Sequence, residues 1–132
     1  MPVPMTSFLK KTLALDAVVT GAAAVLMAAG ASLLGPFLNL PVGLLFWSGI
    51  VLFPFVALLV VVARRDSAPR MVLIDIVAIN ALWVAASFGI MIAGVVEPNL
   101  LGVLFISAQA LTVVLFAALQ ASALRAAGAV AA

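Results

Sequence analysis

Residues 42–70 read VGLLFWSGIVLFPFVALLVVVARRDSAPR, an uncharged apolar run that ends in a short charged connection. A membrane-spanning helix needs about 20 mainly apolar residues to cross ~30 Å of hydrocarbon. Three more runs reach this length, and together the predicted spans are residues 13–34, 42–63, 71–95 and 100–124. Little of the chain lies outside them. The sequence therefore predicts a single all-α membrane domain over residues 1–132, built from four transmembrane helices.

The basic residues are confined to alternate connections. They precede the first span, separate the second from the third and follow the fourth, as Lys10, Lys11, Arg64, Arg65, Arg70 and Arg125. Because short loops rich in Lys and Arg stay on the cytoplasmic side, both termini are expected in the cytoplasm. Short connections also make neighbouring helices antiparallel. We therefore expect an up-down-up-down bundle in a bacterial inner (cytoplasmic) membrane, with the lipid bilayer as its first partner.

The composition argues against most kinds of chemistry. The chain has no Cys, His or Tyr, which removes disulfides, thiolate and imidazole metal ligands and the usual haem ligands. Neither a cofactor nor a metal is expected. A net charge of only +2, without a basic stripe, argues against a nucleic-acid partner. The spans also lack a Gly-rich phosphate loop and a nucleophile–base pair, so the chain is expected not to be an enzyme.

Polar side chains inside the spans are the remaining candidates for a functional site, because they are costly in lipid and normally face the bundle interior. Asp16, Asp75 and Gln120 lie at matching depth beneath the basic residues and are expected to form one polar layer. The counter-ions expected for the two carboxylates, besides their role as lipid anchors, are Lys11, Arg64, Arg65 and Arg70. Structural anchoring and a proton or ion role remain alternative explanations of this layer.

Helical phase adds further members to this candidate site. At about 100° per residue, the polar residues of the fourth span share one sector, and Asp16 and Thr20 share another in the first. The indole N–H of Trp83 is expected to find an acceptor in Gln109, Ser48 or a backbone carbonyl. The full set is Asp16, Thr20, Asp75, Asn80, Trp83, Gln109, Thr112 and Gln120. Interhelical hydrogen bonding and a ligand or permeation path are the two alternatives for its role.

Small residues recur every four positions on two spans. The third carries Ala81, Ala85, Gly89 and Ala93, and the first carries Thr20, Ala24, Ala28 and Ser32. Small residues at this spacing let helix backbones approach closely in lipid. The pattern predicts tight packing faces, either inside the chain or against a second copy or a membrane partner subunit.

Several short segments carry a resemblance. LDAVVTGA (residues 15–22), INALWVAAS (79–87), AQAL (108–111) and LQ (119–120) resemble an uncharacterised family of small bacterial four-helix membrane proteins. The resemblance implies no particular activity, and the positions that match its pattern are Asp16, Asn80, Trp83, Gln109 and Gln120. Family members often carry an acidic residue near the position of Ala118. Small multidrug-resistance transporters share the size and helix count, but their membrane carboxylate is a mid-helix Glu, and no Glu lies in a span here.

Three functions follow as hypotheses. The first is a non-enzymatic membrane protein that acts through helix contacts, as an accessory or assembly subunit or a homo-oligomer. The second is a small transporter or channel for a proton, cation or small amphiphile. The third is a binder of a lipid or quinone, with an apolar ligand held in a slot near Trp83. A cavity among the first, third and fourth spans would discriminate between them.

Overall fold

Five helices and a two-stranded sheet make up the chain in the computed structural model, which describes residues 2–131 and the side-chain surroundings of residues 2–128. The elements are β1 (Pro2–Pro4), α1 (Ser7–Ala29), α2 (Ala31–Leu38), α3 (Val42–Ala63), β2 (Ser67–Pro69), α4 (Arg70–Ile92) and α5 (Leu100–Ala131). Four of them, α1, α3, α4 and α5, are long and apolar enough to cross a membrane. They correspond to the four predicted spans.

The first predicted span differs from the observed helices at both ends. α1 begins at Ser7, well before Leu13, because the hydroxyl of Thr6 accepts a hydrogen bond from the Leu9 amide at 3.2 Å and caps the helix. α1 ends at Ala29, and the last residues of the predicted span belong to α2. Gly30 separates the two helices. A Cβ at Gly30 would lie 2.6 Å from the carbonyl oxygen of Leu26, so only glycine fits this junction.

α1 is central to the packing of the long helices. It contacts α3 most extensively and also packs against α5, while α4 packs mainly against α5. The α1–α3 contact is close at Gly49, where a Cβ would lie 2.6 Å from the amide nitrogen of Ala28 and 2.8 Å from the carbonyl oxygen of Ala24. The small residues of α1 are therefore used to bring α3 close within the same chain.

The small residues of α4 have a different environment. Ala81, Ala85, Gly89 and Ala93 are all exposed. A Cβ added at Gly89 would meet no atom within 4 Å. This stripe, which we call the α4 stripe, therefore lies on the outer surface of the bundle instead of packing inside the chain.

The N-terminus is tied to the connection between α3 and α4. β1 pairs with β2 in antiparallel register, with Val3 opposite Ala68. The Met5 amide donates to the Asp66 carbonyl at 2.9 Å, and Lys10 Nζ lies 3.7 Å from an Asp66 carboxylate oxygen. The sequence indicates only a loop here. These contacts bring two of the basic connections together.

The two remaining connections also contact each other. The Asn39 side chain donates to the Glu97 carbonyl at 2.6 Å, and the Asn99 side chain donates to the Phe37 carbonyl at 2.9 Å. Asn39 ends α2 in the left-handed conformation, with φ 55°. The connections without Lys or Arg are thus joined to each other by amide side chains.

Two buried apolar clusters make up the core. One contains Leu13 and Ala17 of α1 with Ala123 of α5, and the other contains Ala24 of α1 with Ile106 of α5. In the sequence, Asp16 lies between Leu13 and Ala17 of the first cluster, whereas Thr20 and Gln120 each lie between the two clusters. The candidate site therefore interrupts an otherwise apolar interior.

Candidate functional site

Asp16 is the centre of a buried hydrogen-bond network that joins α1, α4 and α5. Its side chain is fully buried. Oδ1 accepts from the Thr20 hydroxyl at 2.6 Å, and Oδ2 accepts from Asn80 Nδ2 at 3.0 Å and from Gln120 Nε2 at 2.6 Å. Asn80 Nδ2 also donates to Gln120 Oε1 at 2.9 Å. We call these four residues the Asp16 network.

The acceptor chemistry of the carboxylate fixes how both amides are oriented. An amide oxygen placed at Asp16 would oppose another acceptor, so Asn80 and Gln120 must both turn their NH₂ groups toward it. Asn80 Nδ2 then uses both hydrogens. Its Oδ1 accepts no hydrogen bond from the described residues. Because every fully buried side-chain N or O atom of those residues has a partner, this oxygen must keep some accessible surface.

A second network joins α4 and α5 through Trp83 and Gln109. The indole Nε1 donates to Gln109 Oε1 at 2.7 Å, and Gln109 Nε2 donates to the Ser87 hydroxyl at 3.0 Å and to the Ile106 carbonyl at 2.9 Å. The Ser87 hydroxyl in turn donates to the Trp83 carbonyl at 2.7 Å. The donors of these side chains are all used within the protein.

A cavity of about 340 Å³ is lined by members of both networks. It is bounded by α1, α3, α4 and α5, and its largest apolar lining residues are Met27, Leu52, Phe55, Phe105 and Phe116. Its polar lining consists of Thr20, Asn80, Trp83, Gln109 and Thr112. Most of its wall is thus hydrocarbon, with a few polar groups at fixed places.

The cavity reaches the outer surface of the bundle between apolar side chains. Val51 and Ile79 line it and are also 63% and 42% exposed. Both lie well inside helices that are long and apolar enough to cross a membrane. A molecule dissolved in the hydrocarbon of a bilayer would therefore reach the cavity sideways, without passing through water.

The structure brings together most of the side chains that the sequence selects. The Asp16 network and the Trp83–Gln109 network account for six of them, and Thr112 lines the cavity while donating to the Ala108 carbonyl at 2.8 Å. Asp75 lies apart, with an exposed side chain. Its phase explains this, because five residues at about 100° each place it roughly 140° around α4 from Asn80. The expected polar layer thus unites Asp16 and Gln120 without Asp75.

The expected counter-ions lie elsewhere. Among the described residues, the ion pair that forms is Lys10–Asp66, and neither Asp16 nor Asp75 has a basic partner. The side chains proposed for that role are all exposed, at Lys11, Arg64, Arg65 and Arg70. Neutral donors surround Asp16 instead, because Thr20, Asn80 and Gln120 occupy both of its oxygens.

The contribution of α3 to the site has no signal in the sequence. Val51, Leu52 and Phe55 line the cavity, but nothing in the sequence distinguishes these three apolar positions from the other apolar positions of the span from Val42 to Ala63. The expected slot near Trp83 involves only the first, third and fourth spans. Helix packing, not residue type, places α3 against this cavity.

Among the described residues, no group of His, Asp or Glu side chains could hold a metal ion. Comparison of the chain with protein-family models, curated proteins and solved structures finds no match. The function must therefore be argued from the geometry of the two networks and the cavity.

Proposed function

We propose that this is a non-enzymatic integral membrane protein that binds a small, largely apolar molecule taken from the bilayer. The cavity of about 340 Å³ carries the proposal. Ligand pockets typically have volumes of about 300–1,000 Å³, mainly apolar walls and a few placed polar groups. This volume and the mainly apolar wall suit a small single-chain amphiphile.

The position of the polar side chains favours binding over permeation. Asp16 and Gln120 are absent from the described lining of the cavity. Two of its polar lining side chains, Asn80 and Trp83, are hydrogen-bonded to glutamines of α5. A transporter or channel would need a polar path that continues past them. We therefore rank a binding protein above the transporter or channel for a proton or cation.

The same proposal includes a membrane orientation. We place the protein in a bacterial inner membrane as an up-down-up-down bundle, with both termini in the cytoplasm. The distribution of Lys and Arg supports this orientation. The β1–β2 pairing and the Asn39–Glu97 contact support it too, because each joins connections expected on the same side.

Tryptophan fluorescence tests the binding proposal. The variant Trp47→Phe leaves Trp83, which lines the cavity, as the single indole of the chain. In vesicles, 1-bromooctane should quench Trp83 saturably. Ala108→Phe, which adds bulk to the cavity wall at an exposed position, should abolish the saturable part. Ala57→Phe, exposed on α3 away from the cavity, is the matched control. Quenching that rises linearly with bromooctane and ignores Ala108→Phe would refute the proposal.

A second candidate function is association through the α4 stripe. It is favoured by the exposure of Ala81, Ala85 and Gly89 on α4 and of Ala93, which directly follows this helix. A stripe of small residues is self-complementary, because two copies related by a two-fold axis can lie against each other with their backbones close. We therefore name a second copy of this chain as the partner, ahead of a different membrane subunit. Cross-linking and native mass spectrometry in mild detergent test it, and a strict monomer would count against it.

A further inference from the structure

The hydrogen-bond donors that line the cavity are already used. Trp83 Nε1 and both Gln109 Nε2 hydrogens go to protein acceptors, and so do both Asn80 Nδ2 hydrogens. The hydroxyl of Thr20 donates to Asp16, and the hydroxyl of Thr112 donates to the carbonyl of Ala108. A ligand in the cavity therefore finds no free side-chain donor among the described lining residues.

Acceptors remain available at the same places. Asn80 is only 3% exposed and lines the cavity, and its Oδ1 has no partner among the described residues. The hydroxyl oxygens of Thr20 and Thr112 each donate one hydrogen bond and keep lone pairs free. The cavity thus offers acceptors without donors, which selects among ligand head groups.

The carboxyl of Asp16, when ionised, makes the neighbouring part of the cavity electrostatically negative. It lies behind Thr20 and Asn80, which both line the cavity and donate to its carboxylate oxygens. All three of its hydrogen-bond partners are neutral, and in the described part of the chain no basic side chain pairs with it. A charge in a low-dielectric surrounding acts on a nearby charge far more strongly than it does in water. A cation in this part of the cavity would be attracted.

We propose that the ligand is an amphiphile whose polar end donates hydrogen bonds, with a primary alkylammonium bound most tightly. The ammonium lies against Asn80 Oδ1 and the Thr20 hydroxyl, and the alkyl chain lies among Phe55, Phe105 and Phe116. Head groups that only accept hydrogen bonds, such as a quinone carbonyl, an ester or an ether, form no hydrogen bond with these oxygens and are repelled by them. This inference rests on the proposed function, since it assigns a ligand class to the same cavity.

Displacement of the brominated quencher tests the head-group preference. In Trp47→Phe vesicles holding 1-bromooctane, the competitors are octylamine, 1-octanol and methyl octyl ether, with concentrations expressed per lipid to cancel membrane partitioning. We expect octylamine to restore Trp83 fluorescence at about a tenfold lower concentration than the ether, a difference of about 1.4 kcal/mol, with the alcohol between them. Equal potency of the three would overturn the inference and leave the proposed function standing. Failure of bromooctane to quench saturably would overturn both.

Two carboxylate variants distinguish the effect of the Asp16 charge from the effect of removing any carboxylate of the chain. Asp16→Asn should reduce the advantage of octylamine over octanol several-fold, whereas Asp75→Asn, at an exposed position outside the network, should leave it unchanged. If Asp16→Asn does not fold, Thr20→Val removes a cavity acceptor and keeps the carboxylate, and it should weaken octylamine more than the ether. Identical competitor profiles in wild type and Thr20→Val would contradict the assigned head-group position.

Discussion

Replacing Asp16 with alanine removes the shared acceptor of the Asp16 network. Three donors lose it, namely the Thr20 hydroxyl, one Asn80 N–H and one Gln120 N–H. The Thr20 hydroxyl can turn to the backbone carbonyl four residues earlier, as threonine in helices often does. The two amide N–H groups have no such alternative, because their side chains arrive from α4 and α5.

The magnitude follows from those two orphaned donors. Each costs about 1–3 kcal/mol when it stays buried without a partner, so the pair costs roughly 2–6 kcal/mol. Removing the carboxylate also removes its own desolvation cost, which offsets part of this loss. We therefore expect Asp16→Ala to lower the free energy of unfolding by about 2–4 kcal/mol.

Reversible unfolding in mixed micelles, followed by tryptophan fluorescence during titration with denaturing detergent, measures this change. Asp75→Ala is the matched control, since exposed substitutions outside such networks usually stay within about 0.5 kcal/mol of wild type. If the two variants unfold at the same detergent fraction, the Asp16 network does not stabilise the bundle and the reasoning fails.

Three further predictions follow from close contacts and exposed faces. Gly49→Ala should destabilise the fold by about 1–3 kcal/mol in the same unfolding assay, because its Cβ would meet backbone atoms of α1. Gly43→Ala is its control and should not destabilise the fold, because a Cβ there meets nothing within 4 Å. Gly89→Leu should weaken dimerisation in native mass spectrometry without lowering monomer stability, and a Gly43→Leu variant that weakens it equally would contradict the assigned face. Trp83→Phe leaves the Gln109 side-chain oxygen without its donor and should lower the free energy of unfolding by about 1–3 kcal/mol. Trp47→Phe, at an exposed position, should leave it unchanged.

The number of helices long and apolar enough to cross a membrane could be predicted from the sequence because length and apolarity alone determine it. The runs at residues 42–63 and 100–124 need no partner to be recognised, since crossing a bilayer demands that many apolar residues. The additional short helix α2 was not separable from the first span. Its boundary depends on the backbone at Gly30, whose neighbours are as apolar as the span itself.

Helical phase predicts which polar residues share the site, whereas depth along the helix axis does not do so by itself. By phase, Thr20, Gln109 and Gln120 lie on polar sectors of their helices, and each belongs to one of the two networks. Asp75 matches Asp16 and Gln120 in depth, yet its side chain is exposed. Depth fixes the position of a residue along the helix axis, but only phase fixes the direction of its side chain.

Tertiary contacts account for what the sequence could not supply. Two stripes of small residues were equivalent as patterns, yet Ala24 and Ala28 pack against α3 while the α4 stripe is exposed. The difference depends on which helix supplies a close contact, and α3 supplies one to Ala24 and Ala28 through Gly49. No local signal on α1 or α4 contains that information.

The choice of a carboxylate at position 16 is the strongest link between packing and the proposed ligand. Tying three helices together needs an acceptor for Thr20, Asn80 and Gln120, and the carbonyl oxygen of a neutral side chain supplies one at a lower desolvation cost than a carboxylate does. What a neutral acceptor cannot supply is a negative charge behind the cavity wall. A carboxylate that bonds to Thr20 and Asn80, both of which line the cavity, polarises them so that their free oxygens attract a donor more strongly. The stability of the bundle and the preference for an ammonium head group then depend on the same side chain, and Asp16→Asn, which removes the charge with little change in size, separates the two.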